Sequence, residues 1–463
     1  MNDTIAAIAT PLLPSAIGIL RLSGPGAVSA VDRVFTPFYG GPMDSRPDRT
    51  LVYGALRDQD GAVIDHCLAT VSRAPNSYTG EDTAELQCHG SPAALTLGLE
   101  ALFAAGARQA LPGEFTRRAF LNGRLDLTRT EAVADLIHAE TPAAVRTAAG
   151  QLGGALERAV DGIYDQLTDL CAHFHAVLDY PDEDIEPFEV EELSSALTGA
   201  AAELDKLAAT YRRGRLLNEG VPCAIVGRPN AGKSTLFNAL LGYERAIVTD
   251  IPGTTRDTVE ERVSFGSVTL RLIDTAGLRE TGDEVERLGV ERSRAAMEQA
   301  ELILVVVDDS RTPSEEDVEA LHMAMGSGKP WIYVASKCDV SGVWACSVGV
   351  IKKGRGTNPA ASVCLSAKTG QGMDKLEQAV AALFPAEPEG QAGAMLTNAR
   401  QVEAANRARG AVERGAEALR SGLAPDAAVA DVEEALSALG ELTGRTVRED
   451  VTARIFERFC VGK

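Results

Sequence analysis

Short apolar runs closed by turn residues alternate with a helical stripe through the first part of the chain. "AIGILRLSG", "TLVYGALRD" and "DHCLATVSR" have the length and punctuation of strands. "SPAALTLGLEALFAAGA" has helical spacing instead. Leu95, Leu99, Leu102 and Phe103 share one face, Ser91 stands at the N-cap position and Pro92 in the first turn. Residues 1–118 therefore predict a small α+β domain. From 119 to 215 strand signals stop, and Ala- and Leu-rich helical spacing takes over, with a break at Pro142. The acidic stretch "DYPDEDIEPFEVEEL" predicts a solvated connection, without metal-ligand spacing. From 216 to 384 strand–loop–helix units repeat, as in a parallel sheet with crossover helices. Helices resume over 385–463, where Val429, Val432, Leu436 and Leu439 form a stripe. The expected fold class is multidomain α/β and all-α. An N-terminal α+β domain precedes a discontinuous helical domain, into which a Ras-like P-loop domain with a parallel-rich sheet and flanking helices is inserted.

At 463 residues the chain is too long for one ordinary core. Its formal net charge of -21 argues against holding nucleic acid by bulk electrostatics, so a partner or local basic patch would have to do so. The eight cysteines are scattered with no CxxC pair, which predicts reduced thiols and a cytoplasmic protein. No apolar run reaches membrane-spanning length. Cys460 stands where prenylation occurs, but Val461, Gly462 and Lys463 do not follow that pattern.

The densest chemistry lies in "VPCAIVGRPNAGKSTLFNALLG". An apolar strand runs into Gly227-x-x-x-x-Gly232-Lys233-Ser234 and then a helix, the context a phosphate-binding loop requires. The glycines let backbone N–H groups curl around phosphate oxygens at a helix N-terminus, Lys233 reaches the outer phosphates and Ser234 can bind magnesium. Thr255 in "PGTTRD" is a second magnesium candidate. Asp274 and Gly277 in "LRLIDTAG" supply a carboxylate on the magnesium side and a backbone contact for the terminal phosphate. "YVASKCD" ends a strand in Lys337 and Asp339, and "LSAK" supplies Ser366, Ala367 and Lys368. A carboxylate at Asp339 accepts from both the ring N–H and the exocyclic amine of guanine, so the expected nucleotide is GTP. These motifs resemble those of the translation-factor-like GTPases, near Era and Der. Two departures stand out. Ser336 occupies the position where most such enzymes have Asn, which predicts weaker contact with the base and the P-loop. Leu278 occupies the place of the glutamine that orients water in Ras-like enzymes.

The flanking blocks extend the resemblance. "DTIAAIATP", "NSYTGEDTAELQCHG", "PGEFTRRAFLNGRLDL", "LDYPDEDI", "GRPNAGKST", "TDIPGTTRD", "DTAGLRETGDEVERLGVER" and "FCVGK" are together similar to the MnmE (TrmE) family of tRNA-modification GTPases, in order and over essentially the whole chain. The resemblance implies domains at 1–118 (tetrahydrofolate binding and dimerisation), 119–215 and 385–463 (the two parts of the helical domain) and 216–384 (the G domain). It implies a potassium-dependent GTPase, a homodimer that forms a heterotetramer with an FAD-containing MnmG-type partner and meets tRNA mainly through that complex. The reaction would add an aminomethyl or carboxymethylaminomethyl group to C5 of the wobble uridine, with carbon from 5,10-methylene-tetrahydrofolate; a 5-formyl derivative is the other candidate folate.

Carried onto this chain, the folate residues are Arg21, Glu85, Arg124 and Lys463, with Arg124 standing where the family usually has Lys. "TPLLPSAIG" also lacks the family's glycine-rich run. The nucleotide stretches are Asn230, Ala231, Gly232, Lys233, Ser234 and Thr235; Thr249, Asp250, Ile251, Pro252, Gly253, Thr254 and Thr255; Asp274, Thr275, Ala276 and Gly277; then Ser336, Lys337, Asp339 and the "SAK" residues. Potassium falls to Asn230, Thr249, Ile251 and Thr254; the candidate catalytic residues are Glu286, which would orient water, Arg279 and Cys460. Two further features have blander expectations. Cys171 and His175 at i, i+4 in "CAHFH" suit a structural role better than a metal, and His89 beside Cys88 suits packing or capping. A ribosome-assembly GTPase of the Era/Der type is the alternative. It predicts an RNA-binding module such as a basic KH loop after the G domain, and the sequence after 385 has none.

Overall fold

The computed structural model describes residues 3–179, 190–243, 261–273, 294–340, 357–385, 393–422, 425–445 and 462. In chain order β1 (Ile5–Ile8), β2 (Ser15–Ser23), α1 (Ala27–Val34), β3 (Phe35–Pro37), β4 (Val52–Arg57), β5 (Val63–Ser72) and β6 (Thr83–Gly90) come first. Next are α2 (Pro92–Ala104), β7 (Arg108–Gln109), α3 (Glu114–Leu121), α4 (Leu127–His138), α5 (Pro142–Leu152), α6 (Ala155–Asp179), α7 (Val190–Ala209) and α8 (Tyr211–Glu219). Then follow β8 (Val221–Val226), α9 (Lys233–Tyr243), β9 (Glu261–Phe265), β10 (Val268–Leu272), β11 (Leu302–Asp308), α10 (Glu315–Gly326), β12 (Trp331–Ser336), β13 (Ala361–Cys364) and α11 (Met373–Leu383). The last helices are α12 (Ala399–Arg420) and α13 (Pro425–Thr443). The chain packs as two compact units, one of residues 1–137, 151–205 and 403–463, the other of 138–150 and 206–402.

The first unit carries a seven-stranded sheet in the order β3-β4-β5-β6-β2-β1-β7. Strand alternation sets its faces: Leu20 and Leu22 of β2, with Ala84, Leu86 and Cys88 of β6, join a core that includes Val31, Leu95, Leu99 and Leu102 of α1 and α2. The intervening residues of β2 and β6 point to the other face. The Ser91 hydroxyl accepts from the Ala94 N–H and Pro92 opens α2, as the sequence predicts. In the helical part Leu156, Val160, Ile163, Leu167, Cys171 and Phe174 form the buried stripe of α6. That helix packs on α13, where Val429, Val432 and Leu439 are buried and Leu436 is partly covered.

The second unit carries a six-stranded sheet in the order β13-β12-β11-β8-β10-β9. Every neighbour pair is parallel except β9 with β10. The wholly buried runs of β8, β11 and β12 are what a sheet covered on both faces requires. Successive strands turn opposite ways from β8, to β10 on one side and β11 on the other. The carboxyl ends of the strands at such a switch point are where an open α/β sheet binds its ligand.

Candidate functional site

The loop after β8 is shaped by backbone demands. Gly227 has φ +146, and a Cβ there would lie 2.2 Å from the Val306 carbonyl oxygen of β11. Asn230 at φ 60 and Gly232 at φ +106 also turn the wrong way for an ordinary residue. Alternating conformations of this kind turn successive N–H groups into one concavity, which fits an anion such as a nucleotide phosphate. Lys233 closes it, its Nζ donating to the Gly227 and Arg228 carbonyls at 2.6 and 2.8 Å. Burial, with the Arg228 guanidinium beside it, holds its ammonium below the ordinary lysine range. Ser234 and Thr235 are exposed at the start of α9, open to an incoming cation.

The loops expected to meet the base stand on the same edge of the sheet. Lys337, itself at φ 60, donates from Nζ to the Asn230 carbonyl and to Asp308 Oδ2, each at 2.8 Å. Ser336 is buried, and its hydroxyl lies between the carbonyl oxygens of Ala231 and Val307. Short as it is, the side chain keeps one contact with the P-loop, its hydroxyl reaching the Ala231 carbonyl directly. Leu365 N–H donates to the Ala335 carbonyl at 2.9 Å, which seats the Ser366 turn beside β12. Ser366 is buried, Ala367 half-buried, and Asp339 and Lys368 are exposed.

Asp308 escaped the sequence reading. At the end of β11 it receives Lys337 and the buried Arg228, and Arg228 also reaches Asp317 at 3.1 Å. Burial works against the Asp308 anion, but Lys337 and Ser310 hold its carboxyl below the usual range. The double Asp closing the apolar run "LILVVVDDS" was the available signal. Thr249, Asp250, Ile251, Pro252, Gly253, Thr254 and Thr255, then Asp274, Thr275, Ala276, Gly277, Arg279 and Glu286, lie outside the described residues.

In the first unit a different corner forms. Arg21 of β2 and Glu85 of β6 stand directly opposite in the antiparallel register, on the face away from the helices. Arg21 Nε donates to Glu85 Oε1 at 2.9 Å. Its Nη1 donates to the Gly462 carbonyl at 3.4 Å, across 441 positions of chain. Gly462 is buried at φ +101, and a Cβ there would meet the Ile8 carbonyl oxygen at 2.6 Å. Only glycine lets the segment lie so close to the end of β1. Phe115 faces the Arg21 guanidinium at 6.0 Å, and Tyr78 donates to or accepts from Thr116 at 3.0 Å. A guanidinium, a carboxylate and an aromatic face suit a flat heterocycle with anionic groups, so the residues present fit a folate. Arg124 is exposed, its stem against the Gly80 turn. Cys460 and Lys463 lie outside the described residues. Gly462, Tyr78 and Phe115 were missed by sequence reasoning; "FCVGK" drew attention to its cysteine and lysine rather than its glycine.

The corner rests on a buried cluster. Arg118, 1% exposed, bonds Glu81 at 2.9 Å, Asp3 at 2.8 Å and Glu114 at 3.1 Å. Glu114 also takes two bonds from Arg108 and one from the Leu111 N–H. Burial alone would raise the Glu114 carboxyl, but these donors outweigh it and hold it below the usual range. His89, by contrast, is exposed and pairs with Asp65 at 2.8 Å.

Two family models match the chain. One, described as the MnmE helical domain, matches residues 127–460; the other, described as the GTP-binding protein TrmE N-terminus, matches residues 4–124. The tRNA modification GTPase MnmE of Symbiobacterium thermophilum is 44% identical over 465 residues, covering 100% of both chains. The protein of that name from Roseiflexus sp. is 44% identical over 466 residues, covering 100% of this chain and 99% of its own. That of Shouchella clausii is 42% identical over 465 residues, with the same coverage.

Proposed function

The chain belongs to the MnmE family of tRNA modification GTPases, and from that premise we propose a potassium-dependent enzyme that uses a folate carbon to modify the wobble uridine. Its product is an aminomethyl or carboxymethylaminomethyl group at C5, made with an FAD-containing partner of the MnmG type. The observation that carries the folate reading is the Arg21–Glu85–Gly462 corner, which gathers residues from both ends of the sequence around one guanidinium. Arg21 and Glu85 would together contact a 5-formyl- or 5,10-methylene-tetrahydrofolate, the carboxylate accepting from its N–H groups, and the Lys463 ammonium would pair with a folate carboxylate. The bound folate supplies the one-carbon unit; Cys460 would present its sulfur beside it.

In the G domain Ser234 and Thr255 would hold magnesium, while Asn230, Thr249, Ile251 and Thr254 would hold potassium. The Leu278 side chain has no hydrogen-bonding group to orient water, so Glu286 would take that role, Arg279 is a further catalytic candidate, and potassium would offset transition-state charge. The domains 1–118, 119–215, 216–384 and 385–463, a homodimer and a cytoplasmic location belong to the same reading. No helix among the described residues is long and apolar enough to cross a membrane. The test has two arms. Wobble-uridine nucleosides in total tRNA from cells lacking the protein should lose the C5 group and regain it on complementation; an unchanged nucleoside profile refutes the modification. GTP hydrolysis by the purified protein should run ~10³-fold faster in potassium than in sodium, the scale an arginine finger supplies elsewhere, and Asn230→Ala should erase the difference. Equal rates in the two salts refute the potassium step.

A further inference from the structure

On the α6–α13 seam, three chemically unlike donors converge. Cys171 of α6 sits on the buried stripe, His175 one turn further on borders it, and Glu433 of α13 projects from beside the buried Val432. One ligand atom from each lies within 4.8 Å of the other two. The His175 Nε2 and Glu433 Oε1 atoms are 3.1 Å apart. In a tetrahedral zinc site with ordinary bond lengths, neighbouring ligand atoms stand about 3.3 to 3.6 Å apart. The nitrogen and oxygen, which share a hydrogen bond, would part by a few tenths of an ångström to reach that spacing, and the sulfur needs a shift of about 1.5 Å at most, within reach of a side-chain rotation.

We infer that Cys171, His175 and Glu433 form a binding site for a borderline-soft divalent cation of the zinc class, with a fourth position left to water. The donor set selects the metal: one sulfur and one imidazole disfavour magnesium and calcium, which take oxygen ligands. Cys171 binds as the thiolate. Its proton leaves to solvent as the sulfur–metal bond forms, and the His175 ring carries its hydrogen on Nδ1 instead of Nε2, which frees the Nε2 lone pair now turned to Glu433; no redox partner is needed. Burial and the Glu433 carboxylate hold the thiol up in the metal-free protein, so it is not a reactive nucleophile on its own. The site joins residues 258 positions apart, at one end of an antiparallel helix pair. Toward the other end of the same pair Arg445 bonds Asp161 at 2.9 Å and covers the Tyr164 ring at 4.4 Å. A metal here clips the late helix of the discontinuous domain to the early one.

The experiment uses the full chain, treated with chelator and titrated with Co2+. Thiolate-to-cobalt charge-transfer absorption should appear at one equivalent per chain. Cys171→Ser should abolish it, while Cys460→Ser should leave it intact. His175→Gln, an exposed change that spares the packed stripe, should weaken Co2+ binding by at least about 100-fold, more than loss of an outer partner costs. Zn2+ should compete with Co2+ and raise the unfolding temperature of the wild type but not of His175→Gln. Absence of the charge-transfer band overturns the inference. So does a band that survives Cys171→Ser, or one whose titration His175→Gln does not shift, since a lone thiol would then be binding by itself.

Discussion

Gly227 to Ser234 fold a phosphate loop out of consecutive residues, whereas Arg21 meets Glu85 and Gly462 across 64 and 441 positions. The loop is held by backbone: left-handed residues, carbonyls accepting from Lys233 and Lys337, and a hydroxyl against Ala231. The Arg21 corner is held by side chains on a sheet face, braced by the charged cluster around Arg118. Backbone sites tolerate neighbours that change, because the conformation supplies the donors. Side-chain sites fail when a single charge is lost, because its partners stay behind uncompensated.

The largest expected effect tests the brace. Arg118→Met leaves Glu81, Glu114 and Asp3 facing one another without their shared cation. Breaking a buried pair in this way costs about 3–5 kcal/mol. Urea unfolding monitored within the first unit should shift accordingly, while nucleotide binding persists; a shift confined to the second unit would erase the contrast. The wild-type cluster also sets an acid limit. Glu114 and Asp3 have carboxyls held below their ordinary values despite burial, by Arg108 and Arg118. Their stabilisation is full above the unfolded value of about 4 and is lost as pH falls through the lower folded values. Arg118→Met should weaken that acid dependence without removing it, because Arg108 still bonds both carboxylates.

A smaller effect is expected at Gly462. Gly462→Val puts a Cβ against the Ile8 carbonyl at a φ that β-branched residues avoid. The tail should leave its seat, and affinity for 5-formyl-tetrahydrofolate should fall roughly tenfold, about 1.4 kcal/mol, measured by calorimetry. GTP turnover should not change. Unaltered folate affinity would detach Gly462 from the corner. The smallest effect belongs to Ser336→Ala, which removes one hydroxyl bond worth about 1 kcal/mol. GDP affinity should drop several-fold, with discrimination against ADP intact because Asp339 is untouched. A loss of a hundredfold would mean that side chains govern this loop as well.

The same contrast explains what was legible in the sequence. Gly227, Gly232, Lys233 and Ser234 announce themselves because their spacing is the structure. The α2 cap at Ser91 and the start of α5 at Pro142 were readable for the same local reason. Arg21 and Glu85 came only through family resemblance, since nothing in either strand's pattern says that the other stands opposite. The hydroxyl of Ser336 on Ala231 depends on β12 lying two places from β8, across β11, a fact of sheet order rather than of "YVASKCD". Gly462 was hidden because its need for glycine arises from the chain at Ile8, not from its own neighbours.

The seat of Gly462 also has a consequence for biosynthesis. Arg21 and the residue whose carbonyl it holds are 441 positions apart. At about 5–20 residues per second, a ribosome needs roughly 20 to 90 s to cover that distance. The N-terminal sheet leaves the exit tunnel early and waits, with its guanidinium paired to Glu85, for the rest of the polypeptide to be translated. A nascent chain can therefore hold a finished P-loop while its other corner is still open, and the folate capture proposed for that corner would belong to nearly complete molecules alone.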